Sequence, residues 1–502
     1  MKNLSESLSS KPLLSWLLFG STAALVIALL ALAQTIQTRK VESEFRGKPL
    51  GELANFEARN EAFRKFFPKQ FESYYSTKDT SFRSEYGGNE PRDMLEENPR
   101  MVVLWAGYAF SKDYKQGRGH YYAIEDIHKT LRTGGPLSPD SGPQPNTCWT
   151  CKSPDVPRLM EKTGPSDFYK GKWASKGSEV QNTIGCVDCH DPKSMNLRLS
   201  RPALKEAFAR QGKNILESTH QEMRSLVCAQ CHVEYYFKKG PDSIANLTFP
   251  WDSGLTVEAM EKYYDNSGFK DWIHKISKAP MLKAQHPDYE VYKLGIHARR
   301  GVACADCHMP FVSEGGQKYT SHKIQSPLNH ISTSCQVCHR ESEKELIANV
   351  NERHKSVSEI KQYLEDELVK AHYEAGKAWE LGSTEEEMKQ ILAYIRQAQW
   401  RWDFGAAGHG SAFHAPLETA RLLGSGLNKA KDARLALRTL LDKKGFSGEV
   451  SLPDISTKAK AQEAIGLKME VLKMEKQKFI ETILPQWKAE ARQKGVLDPQ
   501  SP

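Results

Sequence analysis

The chain is 502 residues long, with 39% hydrophobic and 26% charged residues, and 70 Lys and Arg against 62 Asp and Glu give it a formal charge of +8. That length allows a large core or several domains, and the composition excludes wholesale disorder, a collagen-like chain and a polytopic membrane protein. The basic excess is spread along the chain with no Lys/Arg block of the kind that tracks phosphates, so no nucleic-acid partner is expected.

Behind Lys2 and Lys11 runs an uncharged stretch, residues 12–37, Leu- and Ala-rich at its centre. Residues 13–33 are enough to span a bilayer, and Ala31-Leu32-Ala33 has the A-x-A form that a signal peptidase cuts. Residues 1–37 are therefore expected to be a signal peptide or a retained N-terminal anchor. Either exports the rest of the chain, in a bacterium to the periplasm.

Residues 45–340 carry all ten cysteines, which fall into five C-x-x-C pairs: Cys148/Cys151, Cys186/Cys189, Cys228/Cys231, Cys304/Cys307 and Cys335/Cys338. In an exported chain ten cysteines would ordinarily suggest disulfides. Here four pairs are followed directly by histidine, at His190, His232, His308 and His339, which is the attachment signature of c-type haem. Two thiols at this spacing can each add to one vinyl group, and the next side chain points back at the iron. Zinc is the competing use of paired C-x-x-C units, and it leaves the regular histidine unexplained. A thioredoxin-type redox pair lacks its βαβ context.

The first pair, Cys148-Trp149-Thr150-Cys151-Lys152, has lysine where histidine is due. Either the site is degenerate, or Lys152 is itself the proximal iron ligand. An amine binds iron only when neutral, so such a site must strip a proton from a group of reference pKa about 10.4. A haem with that ligand differs electronically from the other four, which marks it as the place for chemistry. Of 16 histidines, the four proximal ones leave His120, His128, His220, His274, His286, His297, His322, His330, His354, His372, His409 and His414 as a surplus from which four second axial ligands can be drawn. The residues alone do not choose among them.

Around these motifs the sequence is broken by Gly, Pro and short charged runs, and no series of alternating strands suffices for a sheet. Stacked porphyrins would supply much of the core. Past residue 340 apolar residues recur at helical spacing. A capping box at Ser356-Val357-Ser358-Glu359 predicts a helix to about Glu380, and Thr384-Glu385-Glu386-Glu387 predicts another toward Trp402. Two further stretches, 417–443 and 457–492, follow, the last interrupted at Gly466 and Pro485.

One C-x-x-C-K followed by four C-x-x-C-H, with Arg118-Gly119-His120 before the first, Glu234-Tyr235 after the third, Gln285-His286-Pro287 before the fourth and His414-Ala415-Pro416 late in the chain, resembles the ammonia-forming cytochrome c nitrite reductases. The likeness runs from about Phe45 to the C-terminus. It implies a mainly α fold with little β, a haem-packed core at 45–340, and long helices at 341–502 that cover the core and form a homodimer face. It implies five covalent haem c groups and a bound Ca²⁺, with nitrite as substrate and a membrane quinol dehydrogenase or a soluble multihaem cytochrome as electron donor.

Residue by residue, the resemblance makes Lys152 the proximal ligand of the active-site haem. It makes His322 the distal ligand of the second haem, His120 of the third, His414 of the fourth and His297 of the fifth, with His330 and His409 fitting less well. Arg132, Tyr235 and His286 correspond to the residues around the open face. A small anion that must gain protons needs a fixed positive charge and proton donors. Without the family pattern, Arg132 pairing a haem propionate and Tyr235 merely packing are the plainer readings. Glu234, Tyr235, Lys283 and Gln285 match the calcium ligands, the outer two by side-chain oxygens and the inner two by backbone carbonyls, a hard-oxygen set that suits Ca²⁺. Two other functions compete: a non-catalytic electron wire, or reduction of another small nitrogen or sulfur species such as hydroxylamine or sulfite.

Overall fold

Residues 12–37 hold no charge and no internal proline to oppose a helix, and they open α1 (Pro12–Arg46). Its segment Pro12–Thr38 has a mean hydropathy of 2.2 over 27 residues, none of it buried within the molecule. At about 1.5 Å per residue it reaches roughly 40 Å, more than the ~30 Å hydrocarbon core of a bilayer. The computed structural model describes residues 12–46, by backbone alone from 39 onward, and 53–498. Lys2 and Lys11 lie outside the described residues. The chain forms two units, residues 1–55 with 191–196, and residues 56–190 with 197–502.

In the second unit, helices before residue 340 are short, because Gly and Pro recur too often for apolar periodicity to build. The longest there have ten residues, one of them His220–Ala229. The cysteine motifs fall on single turns. Cys186–Cys189 is α2, His220–Ala229 is α3 and leads into the third motif, and Cys304–His308 is α4. In the second, third and fifth motifs the histidine N–H donates to the carbonyl of the first cysteine at 2.9 Å, an α-type turn. The Lys152 motif is wound differently. Residues Asn146–Cys151 form a 3₁₀ stretch, and the Lys152 N–H donates to the Trp149 carbonyl at 2.9 Å.

Strands are confined, among the described residues, to four antiparallel hairpins: β1 (Arg83–Ser84) with β2 (Gly87–Gly88), β3 (Tyr236–Lys239) with β4 (Ala245–Thr248), β5 (Trp272–Ile273) with β6 (Pro280–Met281), and β7 (Phe311–Glu314) with β8 (Gln317–Thr320). The hairpins serve placement. β3 begins directly after Tyr235, and β8 ends two residues before His322.

Beyond the last motif come α5 (Glu343–Glu380), α6 (Glu385–Ala407), α7 (Ser411–His414), α8 (Pro416–Lys443), α9 (Lys458–Ala464) and α10 (Met469–Gln493). The predicted start at Ser356 is wrong. The capping box that opens α5 is Ser342 with Glu345, where Ser342 Oγ accepts from the Glu345 N–H at 3.3 Å and Glu345 Oε2 accepts from the Ser342 N–H at 2.8 Å. Ser356 lies inside the helix and its hydroxyl donates to the Glu352 carbonyl instead. The Thr384/Glu387 box forms as expected, and α6 runs on to Ala407. Gly466, at φ +69°, separates α9 from α10, whereas Pro485 sits within α10 without ending it.

The apolar core has two parts. One gathers Trp149, Trp173, Trp251, Tyr264 and Trp400 near the first and third motifs; the other gathers Trp105, Leu364, Leu368, Trp402 and Leu423 between α5, α6 and α8. Trp400 and Trp402, two positions apart on α6, fall on different sides of the helix and so join the two parts.

The fifth motif lies at the edge of the fold. Nine of the ten cysteines are half-buried, whereas Cys338 is exposed. The reason is its place in the chain: residues 337–345 are exposed throughout, as the backbone leaves the core for the open start of α5. Cys335, one turn earlier and next to the buried Ile331 and Ser334, stays on the inner side.

Candidate functional site

Four histidines of the cysteine motifs each face a second imidazole. Ring centres are 6.2 Å apart for His190 and His322, 6.1 Å for His120 and His232, 6.3 Å for His308 and His414, and 6.3 Å for His297 and His339. One metal ion between two imidazole nitrogens, at about 2.0–2.1 Å per bond and with roughly 1.1 Å from nitrogen to ring centre, separates the centres by about 6.3 Å. The chain's own donors therefore fit an iron in each gap. Backbone carbonyls orient several rings: His308 Nδ1 lies 2.9 Å from the Gln325 oxygen and His322 Nδ1 2.8 Å from the Thr320 oxygen. That leaves Nε2 of each for a metal.

The structure thus brings together the four pairings expected from the sequence. The remaining histidines go elsewhere. His274 and His372 stack on each other at 3.6 Å in the helical core, His354 stacks on Tyr86, and His128 is buried among Trp149, Trp173 and Trp487. Sulfur neighbours order the attachment loops. Cys151 and Cys231 act on each other's charge, as do Cys228 and Cys304, and Cys335 acts on that of Cys307. The loops therefore run first, third, fourth, fifth, and Cys189 of the second lies beside the third. The exposed Cys338 stands at the outer end of that run. A thioether needs the sulfur beside a vinyl edge and not a buried cysteine, so the donor pair Cys335/Cys338 is fit to hold a haem.

The motif without a paired imidazole is the one bearing Lys152. Tyr235 and His286 come together there, with ring centres 6.4 Å apart. After burial, the Lys152 charge is the largest influence on His286, and both hold the imidazole well below its ordinary value. Burial pushes the Tyr235 hydroxyl up, with Cys151 and Cys148 acting in the same direction. Burial likewise pushes the Cys148 thiol up to about 12 while Lys152 and Arg132 pull against it, which places both side chains beside this attachment loop.

Arg132 sits in the 3₁₀ turn Leu131–Thr133, capped by Thr130. Its guanidinium lies over the Phe110 ring at 4.3 Å and its Nε donates to Thr130 Oγ1 at 3.3 Å. Among the described residues no carboxylate pairs with it. The loop is pinned by Asp113, whose Oδ2 accepts from Thr130 Oγ1 at 3.0 Å and the Leu131 N–H at 3.1 Å, and by Gln144, which donates to the Arg132 carbonyl at 3.1 Å. Sequence reasoning missed Phe110, which also carries the Lys283 ammonium at 4.8 Å on its ring, and Asp288, whose Oδ2 is 3.4 Å from His232 Nδ1. Neither contact leaves a local pattern, because the partners are far apart in the chain.

The expected calcium ligands also converge. Glu234 is fully buried; its Oε2 accepts from the Gln285 N–H at 2.6 Å and its Oε1 from the Tyr264 hydroxyl at 2.9 Å. The Gln285 side-chain amide is 3.2 Å from the Lys283 carbonyl. The Lys283 ammonium is taken by Asp403 at 2.7 Å, so it does not neutralise Glu234. Burial, with Glu290 and Asp271 nearby, holds the Glu234 carboxyl well above its usual range. A buried carboxylate with acidic neighbours and carbonyl oxygens at hand is a donor set that fits a hard cation. Among the described residues no group of three or more His, Cys, Asp or Glu is arranged for a metal, which is consistent with a set that contains one carboxylate.

Helical architecture, five haem-attachment motifs and facing imidazoles define a multihaem c-type cytochrome. The cytochrome c552 family matches residues 59–495, and the chain belongs to that family. It is 57% identical over 483 residues to cytochrome c-552 of Parabacteroides distasonis, covering 96% of this chain and 97% of the relative. It is 53% identical over 499 residues to that of Porphyromonas gingivalis, covering 99% of each. Its fold matches the catalytic subunit of the cytochrome c nitrite reductase of Desulfovibrio desulfuricans, a protein described with two calcium sites, with a TM-score of 0.74 and 30% identity over 84% of this chain and 91% of that one. The chain is an oxidoreductase of the cytochrome c nitrite reductase type.

Proposed function

We propose that the chain is an exported, ammonia-forming nitrite reductase that carries out the six-electron reduction of nitrite to ammonium at a haem ligated by Lys152, fed by four bis-histidine haems. The observation that carries this reading is the asymmetry of the five motifs: the four histidine motifs have facing imidazoles, and the Lys152 motif has Arg132, Tyr235 and His286 gathered about it. When bound, haem supplies the electrons and the iron on which the nitrogen is reduced. Arg132, held on Phe110 and with no carboxylate partner among the described residues, supplies the fixed charge that binds the anion and stabilises negative charge as N–O bonds break. Tyr235 and His286, half-buried side by side, hold and pass protons to the departing oxygens.

Glu234, the carbonyls of Tyr235 and Lys283, and Gln285 would hold Ca²⁺, which would fix the Tyr235 backbone and the Gln285-His286 turn. The domain reading follows: 1–37 as leader or anchor, 45–340 as the catalytic haem region, 341–502 as a helical cover and homodimer face. The electron donor is a quinol dehydrogenase or multihaem cytochrome at the periplasmic side of the membrane.

A count of high-spin haem in the purified protein, with and without nitrite, tests this. One high-spin haem in five, perturbed by nitrite, is expected; five low-spin haems that ignore nitrite leave only the electron wire. Lys152→His should retain the haem and lower nitrite turnover.

A further inference from the structure

Arg201 is 2% exposed and sits among the first three attachment loops. Its Nε donates to the Thr150 carbonyl at 2.9 Å and its Nη2 to the Ser153 carbonyl at 2.6 Å, so the two acceptors bracket Cys151 and Lys152. The same Nη2 forms an ion pair with Asp188 Oδ1 of the second motif at 2.6 Å. Gln230 of the third motif closes the network: its Oε1 accepts from the Arg201 N–H at 2.9 Å and its Nε2 donates to the Asp188 carbonyl at 3.2 Å. The buried guanidinium therefore touches the loops of the first and second motifs, the Arg201 backbone N–H holds Gln230 of the third, and its charge is felt by Cys151, Cys189 and Cys231.

The local sequence explains why an arginine is needed. Were the Lys152 motif wound like the histidine motifs and continued, the Thr150 carbonyl would accept from residue 154. That residue is Pro154, which has no N–H. The turn instead tightens to 3₁₀ at Lys152, and the stranded carbonyl is buried. A buried carbonyl left unpaired is destabilising, and the Arg201 Nε satisfies it. The planar fork spans two carbonyls at once, which the single ammonium of a lysine cannot do with the same geometry.

We propose that Arg201 is a positioning residue for Lys152: by gripping the Thr150 and Ser153 carbonyls and pairing with Asp188, it holds the 3₁₀ turn that presents the lysine and locks that turn to the second and third attachment loops. It acts on the reacting centre through Lys152 and does not touch substrate. The proposal rests on Lys152 being an iron ligand.

The test compares wild type, Arg201→Lys and Arg201→Met as holoproteins whose five haems have been verified by mass. The readouts are the electron paramagnetic resonance of the high-spin haem, its midpoint potential, and nitrite kcat and KM. Both variants should show a shifted or split high-spin signal, a changed potential for that haem alone, and a fall in kcat of about 10–100-fold, the usual cost of losing a residue that orients a metal ligand. The four bis-histidine signals should stay as in wild type. Should Arg201→Met fail to accumulate, Arg201→Lys decides alone. Unchanged high-spin signal, potential and turnover in fully loaded Arg201→Lys overturns the proposal, even if its Tm drops, since a merely structural role moves stability only. Absence of an amine-ligated high-spin haem in wild type itself is a different failure: it removes the Lys152 reading, and this proposal with it.

Discussion

At the scale of single residues the chemistry depends on how charges are buried. Lys476, 4% exposed on α10, donates to the His128 carbonyl and to Thr133 Oγ1, each at 3.0 Å. Both acceptors are neutral and belong to the loop that carries Arg132. Burial lowers its pKa to about 7, with Asp113 pulling weakly the other way. Below pH 7 folded and unfolded chains both hold the proton and the cost of burying the charge is fully present. Between about pH 7 and the unfolded value of about 10.4 the unfolded chain binds the extra proton, so stability rises with pH, and above that the contribution levels off. Lys476→Met should therefore flatten the rise of Tm over that window, as calorimetry across a pH series will record; an unaltered slope would refute it. Arg132 has the more direct role. Arg132→Ala should lower kcat/KM for nitrite by about 10²–10³-fold, the cost of losing one oxyanion-stabilising donor, with all five haems still attached.

At the scale of elements, short helices present ligands and long ones brace them. α7 has four residues and ends at His414, whose N–H returns to the Gly410 carbonyl at 2.7 Å. A Cβ on Gly410 would come within 2.5 Å of the His414 ring. Gly410→Ala should push that ring off its partner His308 and convert one low-spin haem to high-spin, which magnetic circular dichroism can count. α5 and α8 pack along their lengths, with Arg434 bridging to Glu374 at 2.6 Å and Glu367 at 2.9 Å. Leu368, fully buried on α5, should cost about 2–5 kcal/mol when cut to alanine, seen in denaturant titration with haem spectra unchanged. The α6 cap was legible because Thr384 and Glu387 stand at the spacing the box requires. The start of α5 was missed because Ser342/Glu345 and Ser356/Glu359 carry the same pattern, and what decides between them is that residues 343–355 continue the helix. Pro485 predicted a break in α10, but Phe479 and Trp487, buried on either side of it, hold the helix on the aromatic core.

At the scale of the whole molecule, the apolar length of α1 bears on where the protein resides. If α1 is retained, the chain should stay with membranes through a high-salt wash and leave only in detergent; release by salt, with an N-terminus just after Ala33, would show cleavage instead. The sequence by itself marked the five C-x-x-C motifs and which of them is the odd one, because each thiol pair and the side chain that follows it lie within five consecutive residues. It also determined the helical class and, through the family pattern, the names of the pocket residues. The tertiary structure decided which imidazole faces which, the order of the attachment loops, the exposure of Cys338 at the end of that order, and the grip of Arg201 on three of the loops. Five identical spacings cannot tell an enclosed motif from one at the surface, since burial depends on what the rest of the chain packs over it. The remaining contacts join residues tens to hundreds of positions apart, and with twelve surplus histidines no local spacing can distinguish a ring that faces a partner from one packed in the core.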